Sequence, residues 1–362
     1  MNINKNPFAD IPDFYRGKKI FITGHTGFKG SWLCKILSEF NANAAGYSLE
    51  PPTKPYNLFE ISNAGQSIKN ITGDIRDYTS LKNAFDDFQP EIVIHMAAQP
   101  IVRESYKNPA YTYEVNTIGT VNILECVRNN TCVKSFLNVT TDKVYKNREW
   151  FYGYRENEEL DGYDPYSNSK SCSELITHSY ARSFFNNHNV RISTARAGNV
   201  IGGGDFSIDR IIPDCVRAMM KHEKIAVRNP YSIRPYQHVL EPLFVYLMIA
   251  AAQYNNSDCS GSYNVGPNES DCISTGELAD LFIKHWQDGA AWENLSLNND
   301  NYHEANFLKL DCSKLKSVFN WRPRWNIDQA VQKTVEWTKI WLSGGDVNQC
   351  MSEQIKKFLK ES

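Results

Sequence analysis

Through the first 200 positions, short runs of β-branched and aromatic residues alternate with stretches of helical spacing. Period and length together predict strands over 18–23, 44–49, 68–73, 91–96, 134–140 and 190–197. Between them helices are expected over 31–40, 79–88, 111–129 and 166–187; in the first, Trp32, Leu33, Ile36, Leu37 and Phe40 share a face. Strand–helix alternation of this kind predicts a parallel, doubly wound α/β sheet with right-handed crossovers. Ligands of such sheets gather at the carboxyl ends of the strands. Thr23, Ala97, Thr140 and Ala197 mark four of these ends, and each precedes a polar or glycine-rich segment.

Beyond Gly202-Gly203-Gly204 the pattern becomes irregular, with helical pieces over 211–222, 241–254, 275–287 and 327–342 among loops rich in Asn, Asp and Pro. The expectation is a doubly wound domain over 1–200, rejoined by 235–266, and a smaller mixed α/β substrate lobe over 201–362. Charge is balanced, with 39 basic and 41 acidic residues, so no nucleic-acid or membrane partner is expected. The longest apolar run, 243–252, falls short of the ~20 residues of a bilayer span and reads as a buried helix. Residues 1–19 are polar without a signal-peptide core, which predicts a cytoplasmic protein. Nine scattered cysteines without a Cys-x-x-Cys argue against disulfides and against a metal centre.

Gly24-His25-Thr26-Gly27-Phe28-Lys29-Gly30 follows the first strand and opens the first helix. Glycines there allow a tight turn and let backbone N–H groups approach a pyrophosphate, whose charge suits a helix N-terminus. A dinucleotide site is therefore predicted, with the Rossmann arrangement. The choice between NAD and NADP falls on Ser48-Leu49-Glu50, and NAD is favoured; Asp74 is placed to meet the adenine.

Tyr166 and Lys170, four apart, share a helix face. A free tyrosine titrates near ~10, so a neighbouring ammonium and a positive nicotinamide must favour the phenolate; three units correspond to ~4 kcal/mol. Thr141 closes the fifth strand, and Asp142-Lys143 follow it into the same cleft. One acid/base set suffices for oxidation. A second suggests oxidation coupled to another proton transfer, such as loss of water.

These segments resemble the extended short-chain dehydrogenase/reductase superfamily, and within it the CDP-glucose 4,6-dehydratases. The resemblance is carried by residues 23–33, 46–49, 95–100, 140–145, 196–205 and 234–242, which span most of the chain. It implies an NAD-dependent lyase acting on a nucleotide sugar, CDP-glucose, with UDP- or dTDP-sugar dehydratases and 4-epimerases as alternatives. The Asp142-Lys143 pair counts against an epimerase, and retention of Tyr166 and Lys170 against a non-catalytic dinucleotide sensor. Implied roles are Tyr166 as base at the C4 hydroxyl, Thr141 as its hydrogen-bonding neighbour and Asp142 as acid for the leaving C6 hydroxyl. Lys143 is either the C5 base, which is favoured, or an enolate stabiliser. Cofactor contacts are implied for Ile75, Ala97, Ala98, Gln99 and Asn116, and substrate contacts for Asn199, Arg210 and Arg234. The helices over 111–129 and 166–187 resemble those that pair in the family's dimers, so a homodimer or tetramer is expected, acting in deoxysugar supply for cell-surface polysaccharide.

Overall fold

The computed structural model describes residues 6–51, 56–185, 189–295 and 307–361. Seven strands form its main sheet: β1 (Lys19–Thr23), β2 (Asn43–Ser48), β3 (Lys69–Thr72), β4 (Ile92–His95), β5 (Ser135–Thr141), β6 (Arg191–Ala197) and β7 (Gly261–Val265). They are ordered β7-β6-β5-β4-β1-β2-β3, and every neighbouring pair is parallel. The chain begins mid-sheet, winds outward to β3, then restarts at β4 on the other side of β1. Ligand sites of such sheets lie at this reversal. The six strands expected from sequence all appear, within one or two residues of the predicted bounds.

Helices cover both faces. On one side the Leu240–Asn255 helix is buried almost all round, as its apolar run predicts, and packs with the Phe28–Glu39 helix in the larger core. On the other, Leu81, Phe85, Ile123, Leu124 and Val127 lie over Phe21, Val93 and Phe136. The Pro165–Tyr180 helix behaves differently. It has no apolar stripe, yet Ser167, Ser169, Ser171, Ser173 and Thr177 are buried. Small hydroxyl side chains allow close approach to β5, and Asn138 donates to Ser173 and Thr177 at 2.9 Å each.

Helix 111–129 is broken into Pro109–Tyr113, a π-helical turn at Glu114–Ile118 and Gly119–Arg128. Helix 166–187 continues past Tyr180 as a second π-helical turn, Ala181–Phe185; its predicted end, Asn186 and Asn187, lies outside the described residues. A separate core gathers Cys215, Val216, Leu278, Phe282, Ala330 and Val331, all within the stretch expected to form the smaller lobe. The final helix, Val347–Lys360, departs from the expected division: Met351, Ile355 and Phe358 join the core beside the Phe28–Glu39 helix instead of the lobe. Its periodicity announces an apolar face but not which surface receives it. All nine cysteines are unpaired, and no described helix is long and apolar enough to cross a membrane.

Phe244 shows how the larger core is locked. It is fully buried, with ring centroids 5.4 Å from Phe8, 6.2 Å from Phe40 and 4.9 Å from Phe358. Phe244→Ala should cost about 3–5 kcal/mol in urea unfolding, as large-to-small changes in tight cores do; a loss below ~1 kcal/mol would contradict this packing.

Candidate active site

Gly24 turns the chain at φ 77°, and its N–H donates to the Tyr47 carbonyl at 2.9 Å. A Cβ there would lie 2.7 Å from the Ala97 nitrogen, and one at Gly30 would lie 2.4 Å from the Gly24 oxygen. Both positions require glycine because backbone passes close by; Gly27 has more room, with its nearest neighbour at 3.5 Å. The turn delivers the N-terminus of the Phe28–Glu39 helix to the gap between β1 and β4. Thr23 Oγ1 accepts from the Met96 and Ala97 N–H groups at 3.1 Å each, so the turn and the loop after β4 are held as one unit. The absence of side chains at 24 and 30, with an open helix end, fits a pyrophosphate.

Around this cradle the predicted residues divide. Thr26 and Ser48 join hydroxyls at 2.8 Å, bringing the turn to the end of β2. The His25 ring is fully buried behind the turn, Nε2 at 2.6 Å from Asn70 Oδ1 and edge-on to Phe59; Gly46 leaves the space it fills. Phe28 packs toward Gly202. Asp74 is gripped by Arg76, whose Nη2 donates to Oδ2 at 2.7 Å, while Ile75 packs beneath Gly119. Ala97 and Ala98 are half-buried in the loop after β4. Asn116, on the π-helical turn, accepts from the Gln99 N–H at 2.8 Å and donates to Ser169 Oγ at 2.9 Å. Polar groups of Asp74, Gln99 and Asn116 thus hold the walls of the cleft.

The ends of β5 and the start of the Pro165–Tyr180 helix bring Thr141, Asp142, Tyr166 and Lys170 together. Asp164 caps that helix, accepting from the Ser167 N–H at 3.0 Å. Thr141 Oγ1 donates to Asp142 Oδ1 at 2.9 Å, and Oδ2 is buried with no hydrogen-bond partner among the described residues. Burial raises Asp142 above the usual carboxylate range, against the opposing pull of Lys143, the Thr141 hydrogen bond, Arg234 and Lys29. Lys143 follows on a short 3₁₀ turn, half-buried. Burial pushes Tyr166 up to about 12, opposed by a hydrogen bond with Thr141 and the charge of Arg210. Burial thus outweighs the downward pull expected of Lys170. Lys170 Nζ donates to the Val139 carbonyl at 3.3 Å, and burial brings it down to about 8.

Of the substrate candidates, Asn199 lies between β6 and the Val200–Ile201 strand, its carbonyl accepting from the Gln237 N–H at 2.9 Å. Arg210 pairs with Asp205 at 3.1 Å and reaches Tyr166 electrostatically. Arg234 is buried on the Ile233–Pro235 strand, and its charge acts on Asp142. Sequence reasoning placed Lys29 only in the phosphate turn. Its side chain instead runs to the cluster, Nζ at 3.4 Å from the Tyr246 hydroxyl, and burial with Arg210 and Lys170 nearby brings it down to about 7. The available signal was a cation in the first turn of a helix, where the dipole disfavours it. Tyr246 had none, lying within an apolar run.

The doubly wound sheet, glycine turn and Tyr–Lys helix define an extended short-chain dehydrogenase/reductase. Residues 21–334 match the family of GDP-mannose 4,6 dehydratase, and the chain belongs to that family. It is 46% identical to CDP-glucose 4,6-dehydratase of Salmonella typhimurium over 354 residues, covering 96% of this chain and 98% of that protein. It is 25% identical to CDP-paratose 2-epimerase of Salmonella typhi, covering 88% and 99% of the two chains. Among solved structures, dTDP-glucose 4,6-dehydratase from Bacillus anthracis in complex with NAD superposes with a TM-score of 0.73 at 20% identity, covering 89% of this chain and 96% of that one. This likeness shows the shared fold.

Gly30→Ala, which sets a Cβ against immovable backbone, should weaken NAD binding by at least about tenfold, the equivalent of ~1.4 kcal/mol. Calorimetric titration checks it; wild-type affinity in a folded variant would show that the turn relaxes freely.

Proposed function

We propose that this protein is an NAD-dependent hydro-lyase that converts CDP-D-glucose to CDP-4-dehydro-6-deoxy-D-glucose and water. The observation that carries the reading is its 46% identity, along nearly the whole of both chains, to the Salmonella enzyme of that activity. The geometry agrees in one decisive respect: a buried carboxyl, Asp142, stands beside the Thr141–Tyr166 pair. Oxidation alone has no use for it.

NAD, held by the glycine turn, would supply the acceptor for the electron pair leaving C4 and the donor that returns it to C6, and its positive ring would oppose the burial that holds Tyr166 high. Tyr166 Oη takes the proton of the C4 hydroxyl, with Thr141 Oγ1 hydrogen-bonded to it. The resulting ketone acidifies C5. Lys143 Nζ takes the C5 proton, and Asp142 gives its proton to the departing C6 hydroxyl, a role suited to a carboxyl that burial keeps protonated to higher pH. Arg210 and Arg234 are cations suited to the substrate diphosphate, and Asn199, just past the end of β6, is the third substrate contact of this reading. The glycine turn, Ser48, Asp74, Ile75, Ala97, Ala98, Gln99 and Asn116 form the cofactor side.

A homodimer is part of this reading. Ile118, Leu175 and Phe184, exposed by 50%, 51% and 41%, stand on the two helical segments assigned to the interface. A cytoplasmic place follows from the nucleotide-sugar substrate, with the product entering deoxysugar supply for cell-surface polysaccharide.

The purified protein with NAD should turn CDP-glucose into an alkali-absorbing 4-keto sugar faster than dTDP-, UDP- or GDP-glucose. Equal or better turnover of another nucleotide sugar would overturn the substrate assignment. Lys143→Ala, given C5-deuterated substrate, should lose C5 washout by about 10²-fold or more, the scale of a missing general base. Undiminished washout would remove Lys143 from the base role.

A further inference from the structure

The Pro165–Tyr180 helix carries a buried acid that none of these steps uses. Glu174 lies one turn beyond Lys170, so the two share a helix face with Cβ atoms about 5–6 Å apart. Its carboxylate is wholly buried, and the strands beneath it supply its partners. Thr140 on β5 donates to Oε1 at 2.5 Å; Thr194 and Arg196 on β6 donate to Oε2 at 2.7 and 2.9 Å. Arg196 is itself held, donating to the Tyr145 hydroxyl at 2.8 Å and the Glu156 carbonyl at 3.0 Å. One helical turn further on, His178 Nε2 lies 3.4 Å from Oε2.

Standing on the same sheet-facing side of the helix, Glu174 lies one turn from the Lys170 amine. Burial pushes Glu174 up, but the charge and hydrogen bond of Arg196, with Thr140 and Thr194, hold it below the usual carboxylate range. It therefore stays anionic where an isolated buried carboxyl would take a proton. Around Lys170 the balance is the reverse. Lys29 from the Phe28–Glu39 helix brings a like charge, and His95 on β4 is kept neutral by burial. Tyr166, on the same helix, is also neutral near pH 7. Burial lowers Lys170, and the charge that opposes this is Glu174.

We propose that Glu174 is a positioning residue: its carboxylate, clamped by Arg196, Thr140 and Thr194, keeps the Lys170 amine charged beside Tyr166. The inference rests on the reading of Lys170 as a working partner of Tyr166.

The test is the pH profile of kcat for the holoenzyme with CDP-glucose. A lysine required as ammonium loses activity as pH rises through its pKa. Removing the carboxylate lowers that pKa, so in Glu174→Gln the alkaline limb should move to lower pH by about one unit or more. Activity at pH 8 should then fall about fivefold or more while activity near pH 6 approaches wild type. Glu174→Asp keeps the charge and should hold the limb near its wild-type position. Because Glu174→Gln leaves a buried guanidinium unpaired, the same profile is measured with Arg196→Met added, and the limb should move in the same direction. An unmoved limb in either folded charge-removing variant overturns the proposal. So does an equal shift in Glu174→Asp, or loss of the fold in both charge-removing variants while Glu174→Asp keeps the wild-type profile, since the acid is then purely structural. Absence of wild-type turnover would instead strike the functional reading itself.

Discussion

A parallel sheet wound outward from its middle diverges where its halves part, and here that place lies between β1 and β4. Parallel pairing aims every strand's carboxyl end the same way, so the loops after β1, β4, β5 and β6 share one edge. Thr23 fastens the first two through its hydroxyl. Gly24 and Gly30 bring backbone so near that no side chain fits. What remains is a helix end with free N–H groups, which a phosphate can satisfy. The other site features are placed relative to that edge.

Packing many charges into the cleft has consequences that separation in sequence conceals. Lys29, Lys170, Arg210 and Arg234 converge from four different segments: Arg210, Lys170 and Asp142 act on Lys29, and Arg234 acts on Asp142. Burial disfavours each charged form, while opposite charges restore it and like charges deepen the loss. The outcome is a set of titrations pulled toward neutrality, Lys29 to about 7 and Lys170 to about 8. Such displaced groups are suited to moving protons near physiological pH. Beneath them, Glu174 and Arg196 form a fully buried pair whose hydrogen-bonding oxygens are all engaged. Arg196 Nε has no hydrogen-bond partner among the described residues, so the pair is fully satisfied on its acid side alone.

Local pattern and local chemistry were legible where they coincide. Ile92-Val-Ile-His95 reads as a strand buried on both faces, and it is one. Gly24 to Gly30 is a contiguous motif whose backbone demands follow from its spacing. Tyr166 and Lys170 are related by one helical turn, so their sharing of a face needs only a helix. The Pro165–Tyr180 helix was harder, because it is buried through serines and threonines, residues that a hydropathy pattern assigns to solvent. β7 was hidden for a related reason: its outer positions, Gly261 and Ser262, weaken the strand signal.

By itself the sequence determined the class of fold, the turn that can receive a dinucleotide and the residue types available for proton transfer. Those depend on interactions between near neighbours, which spacing encodes directly. Only the tertiary structure decided that Lys29 leaves the phosphate turn for the Tyr166 cluster, that His25 buries its ring against Phe59 and Asn70, that the final helix joins the sheet layer, and that burial outweighs Lys170 in setting Tyr166. Each is a matter of which distant side chains meet and how much water they exclude. Desolvation and long-range charge depend on the packed three-dimensional arrangement, and no local pattern carries that information.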